Sequence, residues 1–111
     1  MQYIPDKWVG VKISSANTKT IYKIFACWYG GYLNGDSWKL NSGITKAFLN
    51  GDLKYYFEGA SGSVYICGRH NYGTNGYGAS VLGNMIENAD NNGITVEILP
   101  EDTNWLELNY E

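Results

Sequence analysis

Gly68 to Asp90 reads GRHNYGTNGYGASVLGNMIENAD, and the apolar run Ser63-Val64-Tyr65-Ile66-Cys67 leads into it. A strand-like segment thus feeds a glycine-rich loop, and the loop feeds a helix. Val81, Leu82, Met85, Ile86 and Ala89 recur at helical spacing and mark one apolar face. The helix is expected from Tyr77 or Ala79 to Asp90. It ends at Asn91-Asn92-Gly93, residue types that tolerate a left-handed cap. The only Arg in the chain, Arg69, and the only His, His70, stand side by side at the mouth of the loop. That makes the loop the first place to look for a ligand site.

Upstream, Met1 to Asp6 reads as a lead-in broken by Pro5. Lys7 to Ile13 alternates as a first strand, with Val9, Val11 and Ile13 on one face. Ser14 to Thr18 is turn-like, and Lys19 to Tyr29 is a longer strand with Tyr22, Ile24, Ala26 and Trp28 in phase. A hairpin between the two is the natural local solution. Ile44 to Leu49 and Leu53 to Glu58 bracket Asn50-Gly51-Asp52, and Asn-Gly favours the backbone angles of a tight hairpin turn. Leu53, Tyr55 and Phe57 then face one way. Gly59 to Gly62 makes the next turn, and Ser63 to Cys67 is a central strand by its apolar content. Ile94 to Leu99 is the last strand, stopped by Pro100, and Glu101 to Glu111 is an acidic tail whose Trp105, Leu106, Leu108 and Tyr110 can dock. The sum is an α+β fold: a mainly antiparallel sheet of about six strands, with one main helix on one face, residues 1–111 forming a single compact domain.

With 111 residues, 44% hydrophobic and 17% charged, the chain has the size and composition of one folded domain. No apolar run approaches the ~18 residues of a membrane span. The start, Met1-Gln2-Tyr3-Ile4, lacks the basic and apolar regions of a signal peptide. A cytoplasmic protein is therefore expected, with Cys27 and Cys67 as free, buried thiols. With one His and no CxxC pair, neither a metal nor another cofactor is expected. Charge is divided unevenly. All 8 Lys and Arg precede His70, against Asp6, Asp36, Asp52 and Glu58, whereas residues 70–111 carry Glu87, Asp90, Glu97, Glu101, Asp102, Glu107 and Glu111 with no base. This layout argues against binding duplex nucleic acid, which wants a dense basic face. It can steer a partner or set two copies head to tail, so a homo-oligomer stays open.

Gly68 and Gly73 have the spacing of a phosphate loop, but Thr74 stands where the essential Lys belongs, which argues against a nucleotide triphosphatase. Gly76-Tyr77-Gly78 lacks the third glycine of a dinucleotide fingerprint. A glycine loop entering a helix still offers free backbone N–H groups to an anion. Arg69, His70, Asn71, Tyr72, Thr74 and Asn75 are the ligand-binding candidates on it. Trp28, Tyr29 and Trp38 flank a second glycine-rich loop, Gly30 to Ser37, and extend the candidate surface. A catalytic reading would pair Cys67 with His70, with Glu58 as a third group. A Cys in an apolar strand keeps a raised pKa and stays inert, so His70 is read as a binding residue. A small enzyme acting on a nucleotide or phosphoester, centred on His70, is the rival class.

Lys23-Ile24-Phe25-Ala26-Cys27-Trp28-Tyr29-Gly30-Gly31, through Ser37-Trp38-Lys39-Leu40-Asn41-Ser42-Gly43-Ile44, resembles small accessory proteins of bacteriophages and prophages: compact, rich in Tyr, Asn and Gly, and without an enzyme signature. No functional residue carries over. The resemblance implies a non-enzymatic inhibitor that neutralises a host defence factor in the host cytosol. Two routes follow, sequestering an anionic nucleotide-like signal or occluding a host protein. A homo-oligomeric structural component is a third class.

Overall fold

Alternation along the first long hairpin sends its side chains into two different cores. The computed structural model describes residues 1–31 and 35–111. Its elements are β1 (Gln2–Tyr3), β2 (Lys7–Ser15), β3 (Thr18–Gly31), β4 (Gly35–Leu40), β5 (Ile44–Asn50), β6 (Lys54–Gly59), β7 (Val64–Gly68), α1 (Gly76–Asp90) and β8 (Ile94–Ile98). One sheet has the order β4-β3-β2-β8 and is antiparallel throughout. The other has the order β1-β7-β6-β5, with only the β1–β7 pair parallel. Trp8, Ile24 and Ala26 of the first sheet meet Ile44, Phe57, Tyr65 and Cys67 of the second. The intervening residues Val9, Val11, Phe25 and Cys27 meet Leu82 of α1. The layers are therefore sheet, sheet and helix, an α+β fold.

The helix begins where a side-chain acceptor can take its first free N–H: Asn75 is the N-cap and its Oδ1 accepts from Gly78 N at 2.7 Å. Leu82 is buried, and Val81, Met85, Ile86 and Ala89 are half-buried along the predicted face. At the other end Gly93, with φ of 75°, turns the chain into β8. Gly78 lies so close to β3 that a Cβ there would strike Cys27 Sγ. Only glycine lets the helix approach the sheet this closely.

Two strands escape the sequence reading. β1 has two residues, too few to show a period, and β4 (GDSWKL) is exposed or half-buried along its whole length. The loop expected over Gly30 to Ser37 is correspondingly shorter, and Tyr32, Leu33 and Asn34 lie outside the described residues. The Asn50-Gly51 hairpin joins β5 to β6, with Gly51 at φ 73°. Leu53 belongs to that turn and is exposed, so it does not share the inward face of Tyr55 and Phe57. Both cysteines are free and buried, Cys27 under the helix and Cys67 between the sheets. Among the described residues no helix is long and apolar enough to cross a membrane.

The tail does more than lie on the surface. Trp105 is 2% exposed and sits between the sheets against Trp8, Phe57 and Tyr72, at ring-centroid distances of 5.4, 5.9 and 5.9 Å. Its ring covers Gly10, where a Cβ would collide with it. Leu108 and Tyr110 pack behind it, with the Tyr110 hydroxyl donating to Trp105 O.

Candidate functional site

Beyond β7 the glycine-rich loop crosses from one sheet to the other. Trp8 donates its indole N–H to Gly68 O at 2.7 Å and its backbone N–H to Asn71 O at 3.3 Å, and Gly73 N donates to Trp8 O at 2.8 Å. Tyr72 thereby bridges Trp8 as a short parallel partner. Its hydroxyl stands inside the β2–β8 ladder, accepting from Gly10 N at 3.1 Å and donating to Leu99 O. Below it the ladder bond from Leu99 N to Gly10 O is intact at 2.9 Å. The loop is thus a seam that fastens the two sheets.

Burial pushes the Tyr72 phenol up to about 12; the Gly10 N–H pulls it down and Glu101 raises it. Tyr65 is likewise held at about 12, chiefly by burial. Both folded values lie above the ordinary phenol value, so the native state holds these protons more tightly than the unfolded chain. That contribution is full below about pH 10 and is lost as pH rises through about 12. Urea midpoints should therefore fall between about pH 10 and 12. Tyr72→Phe should cost about 1–3 kcal/mol at neutral pH by leaving Gly10 N–H and Leu99 O unpaired. It should also make the alkaline fall shallower; an unchanged neutral midpoint would show that the hydroxyl is not in the seam.

Beside this seam an open cleft of about 580 Å³ is lined by Arg69 and His70 from the loop after β7 and by Glu101, Asp102 and Thr103 from the turn after β8. Trp8, Tyr55, Tyr72 and Trp105 form its floor and sides. Arg69 is exposed; its guanidinium lies 5.7 Å from the Tyr55 ring centroid, and Nη1 donates to Asp52 O at 2.9 Å. One fork of the guanidinium is thus anchored to the β5–β6 turn while the remaining donors are oriented over an aromatic face. Opposite, Thr103 folds back onto Pro100, with its N and Oγ1 donating to Pro100 O at 3.1 and 2.6 Å. That turn presents Glu101 and Asp102, both exposed. The cleft offers anion donors on one side and hydroxyl acceptors on the other.

The sequence candidates do not converge on this one place. Arg69, His70 and Tyr72 line the cleft. Asn71 flanks it, exposed, with its side chain against Gly68. Asn75 is 5% exposed and is taken up by the helix cap and by a bond from Nδ2 to Trp28 O at 3.1 Å. Thr74 is half-buried between these two ends. Trp28 donates Nε1 to Ile4 O at 2.9 Å and packs edge-on to Tyr3. Trp38 stacks on Phe25 at 5.5 Å, and Tyr29 is exposed beyond it. At the helix start the Asn75 cap takes the Gly78 N–H, and Gly73 N is bonded to Trp8 O. Glu101, Asp102, Thr103, Tyr55, Trp8 and Trp105 are the cleft residues that the sequence reading did not assemble. Only the turn after Pro100 signals that two of them project.

Cys67 is fully buried, and burial raises its thiol well above the ordinary value, so it supplies no thiolate beside His70. Glu58 pairs with Val64, whereas Lys54 pairs with Gly68. Four residues of strand, about 13 Å at 3.3 Å each, separate Glu58 from the His70 end.

Comparison with protein-family models, curated proteins and solved structures found no match. The functional reading rests on the chain's own geometry.

Proposed function

We propose that this chain is a non-enzymatic binding protein that sequesters a compact nucleotide-like ligand in the Arg69–His70 cleft. This is the small-ligand route of a phage-type inhibitor directed at a host defence signal in the host cytosol. The observation that carries it is the pairing, across one aromatic-sided cleft, of Arg69 and His70 with Glu101 and Asp102. A phosphate suits the guanidinium fork, ribose hydroxyls suit the carboxylates, as acidic residues serve in dinucleotide sites, and a base suits the Tyr55 ring. The same carboxylates repel an extended polyphosphate, so cyclic and ADP-ribose-type nucleotides are favoured over triphosphates.

Calorimetry with such a panel tests this. Arg69→Ala should weaken binding at least ~30-fold, on the scale of ~1.4 kcal/mol per tenfold. His70→Ala should weaken it less, because an imidazole offers fewer donors than a guanidinium. Thermal stability should barely change in either variant, since both side chains are exposed. If nothing in the panel binds below ~100 μM, the small-ligand route fails. Turnover of a bound nucleotide, lost in His70→Ala, would instead establish the small-enzyme class.

Occlusion of a host protein is the second reading, favoured by Tyr29 at 58%, Trp38 at 37% and Tyr77 at 49% exposed. Aromatic side chains of this kind anchor protein interfaces. Loss of inhibition in Trp38→Ala or Tyr29→Ala, with Arg69→Ala still active, would select it.

A further inference from the structure

Three of the four sheet edges carry devices that discourage pairing. β1 has two residues and is followed by Pro5. β5 carries Lys46 and a register shift between Ile44 and Lys46. β4 opens on Gly35, carries Lys39 and pairs through a shift between Trp28 and Gly31. Short strands, bulges, lysines and prolines are the usual protections of an edge. β8, reading Ile94-Thr95-Val96-Glu97-Ile98, carries no lysine, proline or bulge within the strand, Pro100 coming only after its end, and its register with β2 is unbroken from Ile94 to Ile98.

The parity of the ladder fixes which groups this edge presents. Leu99 N donates to Gly10 O, so Leu99 points its backbone at β2, as do Glu97 and Thr95 by alternation. Ile94, Val96 and Ile98 therefore turn their N–H and C=O outward. Their side chains lie on the helix-facing side, where Val96 packs on the core while Ile94 and Ile98 remain 38% and 45% exposed.

We infer that β8 pairs antiparallel with β8 of a second copy of this chain, about a two-fold axis at Val96, joining the two β4-β3-β2-β8 sheets into one. The strand is self-complementary in that register. Val96 faces Val96, and each exposed Ile94 covers an Ile98 of the other copy. All three outward-facing residues then sit at hydrogen-bonded positions, where each pair exchanges two backbone bonds. Thr95 stands opposite Glu97, and within each copy Lys12 is the cross-strand neighbour of Glu97, which offsets its charge. A C2 contact of this kind closes on itself and leaves only the two protected β4 strands as outer edges of the joined sheet. Because the Glu101–Thr103 wall follows β8 directly, the two clefts lie at opposite ends of the joined edge, so the dimer is independent of whether the clefts hold a nucleotide.

Sedimentation of the intact protein across micromolar concentrations tests the pairing. The expected result is a dimer at both low and high salt, since backbone bonds and isoleucine contacts hold it; pairing of the basic half on the acidic half would dissolve in high salt. Ile94→Lys with Ile98→Lys should raise the dissociation constant at least ~30-fold by setting lysines on lysines, with circular dichroism and melting near wild type. Val96→Cys should cross-link two copies on mild oxidation, because a hydrogen-bonded pair holds Cα atoms about 5.5 Å apart, within disulfide range. A wild-type monomer at every concentration, a dimer that dissolves in salt, or one that survives the double lysine change would each overturn the inference. Should the double variant not fold, absence of the Val96→Cys cross-link would overturn it.

Discussion

Trp105→Ala is expected to lower the melting temperature by about 12–20 °C. Truncating a buried Trp costs about 3–5 kcal/mol, and a domain of this length loses roughly 4 °C per kcal/mol. The site is unable to collapse, because rigid rings on three sides (Trp8, Phe57 and Tyr72) frame the indole. The cavity would open between the two sheets, so it would also release the Glu101–Asp102 wall of the cleft. Calorimetric melting checks the stability, and nucleotide binding well below the melt checks the wall. A loss under about 1 kcal/mol would mean that the tail does not occupy the core in solution.

Gly10→Ala attacks the same junction from the opposite side. Its new methyl would fall on the six-membered ring of Trp105, an indole framed by Trp8, Phe57 and Tyr72. Overpacking of this sort costs about 1–3 kcal/mol, and displacement of Gly10 also disturbs its bond to the Tyr72 hydroxyl. The decisive measurement is the double-mutant cycle. In a Trp105→Ala background Gly10→Ala should cost about 1–3 kcal/mol less than in wild type, because the obstacle is gone. Additive losses would place the clash elsewhere.

What could be read from the residues was whatever repeats over several positions. β2 and β3 are legible as apolar runs, Trp8 to Val11 and Ile24 to Cys27, because both their faces are covered, and α1 shows a stripe because only one of its faces is. β4 was hidden, since an exposed edge strand with Gly, Asp, Ser and Lys has no apolar rhythm. Trp105 was noted as free to dock, yet a lone aromatic in an acidic tail says nothing about its destination. The cleft was half legible: Arg69 and His70 stand out by their rarity, whereas Glu101 and Asp102 join them only through the docking of the tail. Asn75 carried the ordinary sign of a helix cap, and that role, not a ligand, takes up its side chain. Gly73, at φ 135°, turns the chain beside Trp8, a steric requirement that spacing alone does not separate from a phosphate loop.

The Trp8–Trp105 contact also sets an order of events during synthesis. Trp8 is translated in β2, and Trp105 only after β3 to β8 and the helix have followed. At ribosomal speeds of about 5–20 residues per second, Trp8 waits roughly 5–20 s for its partner. During that interval the β2–β3 and β5–β6 hairpins can form from local sequence, but the gap between the sheets has no plug. The nascent chain is then a half-closed sandwich showing Trp8 and Phe57 to solvent, the interval in which chaperones and proteases meet it.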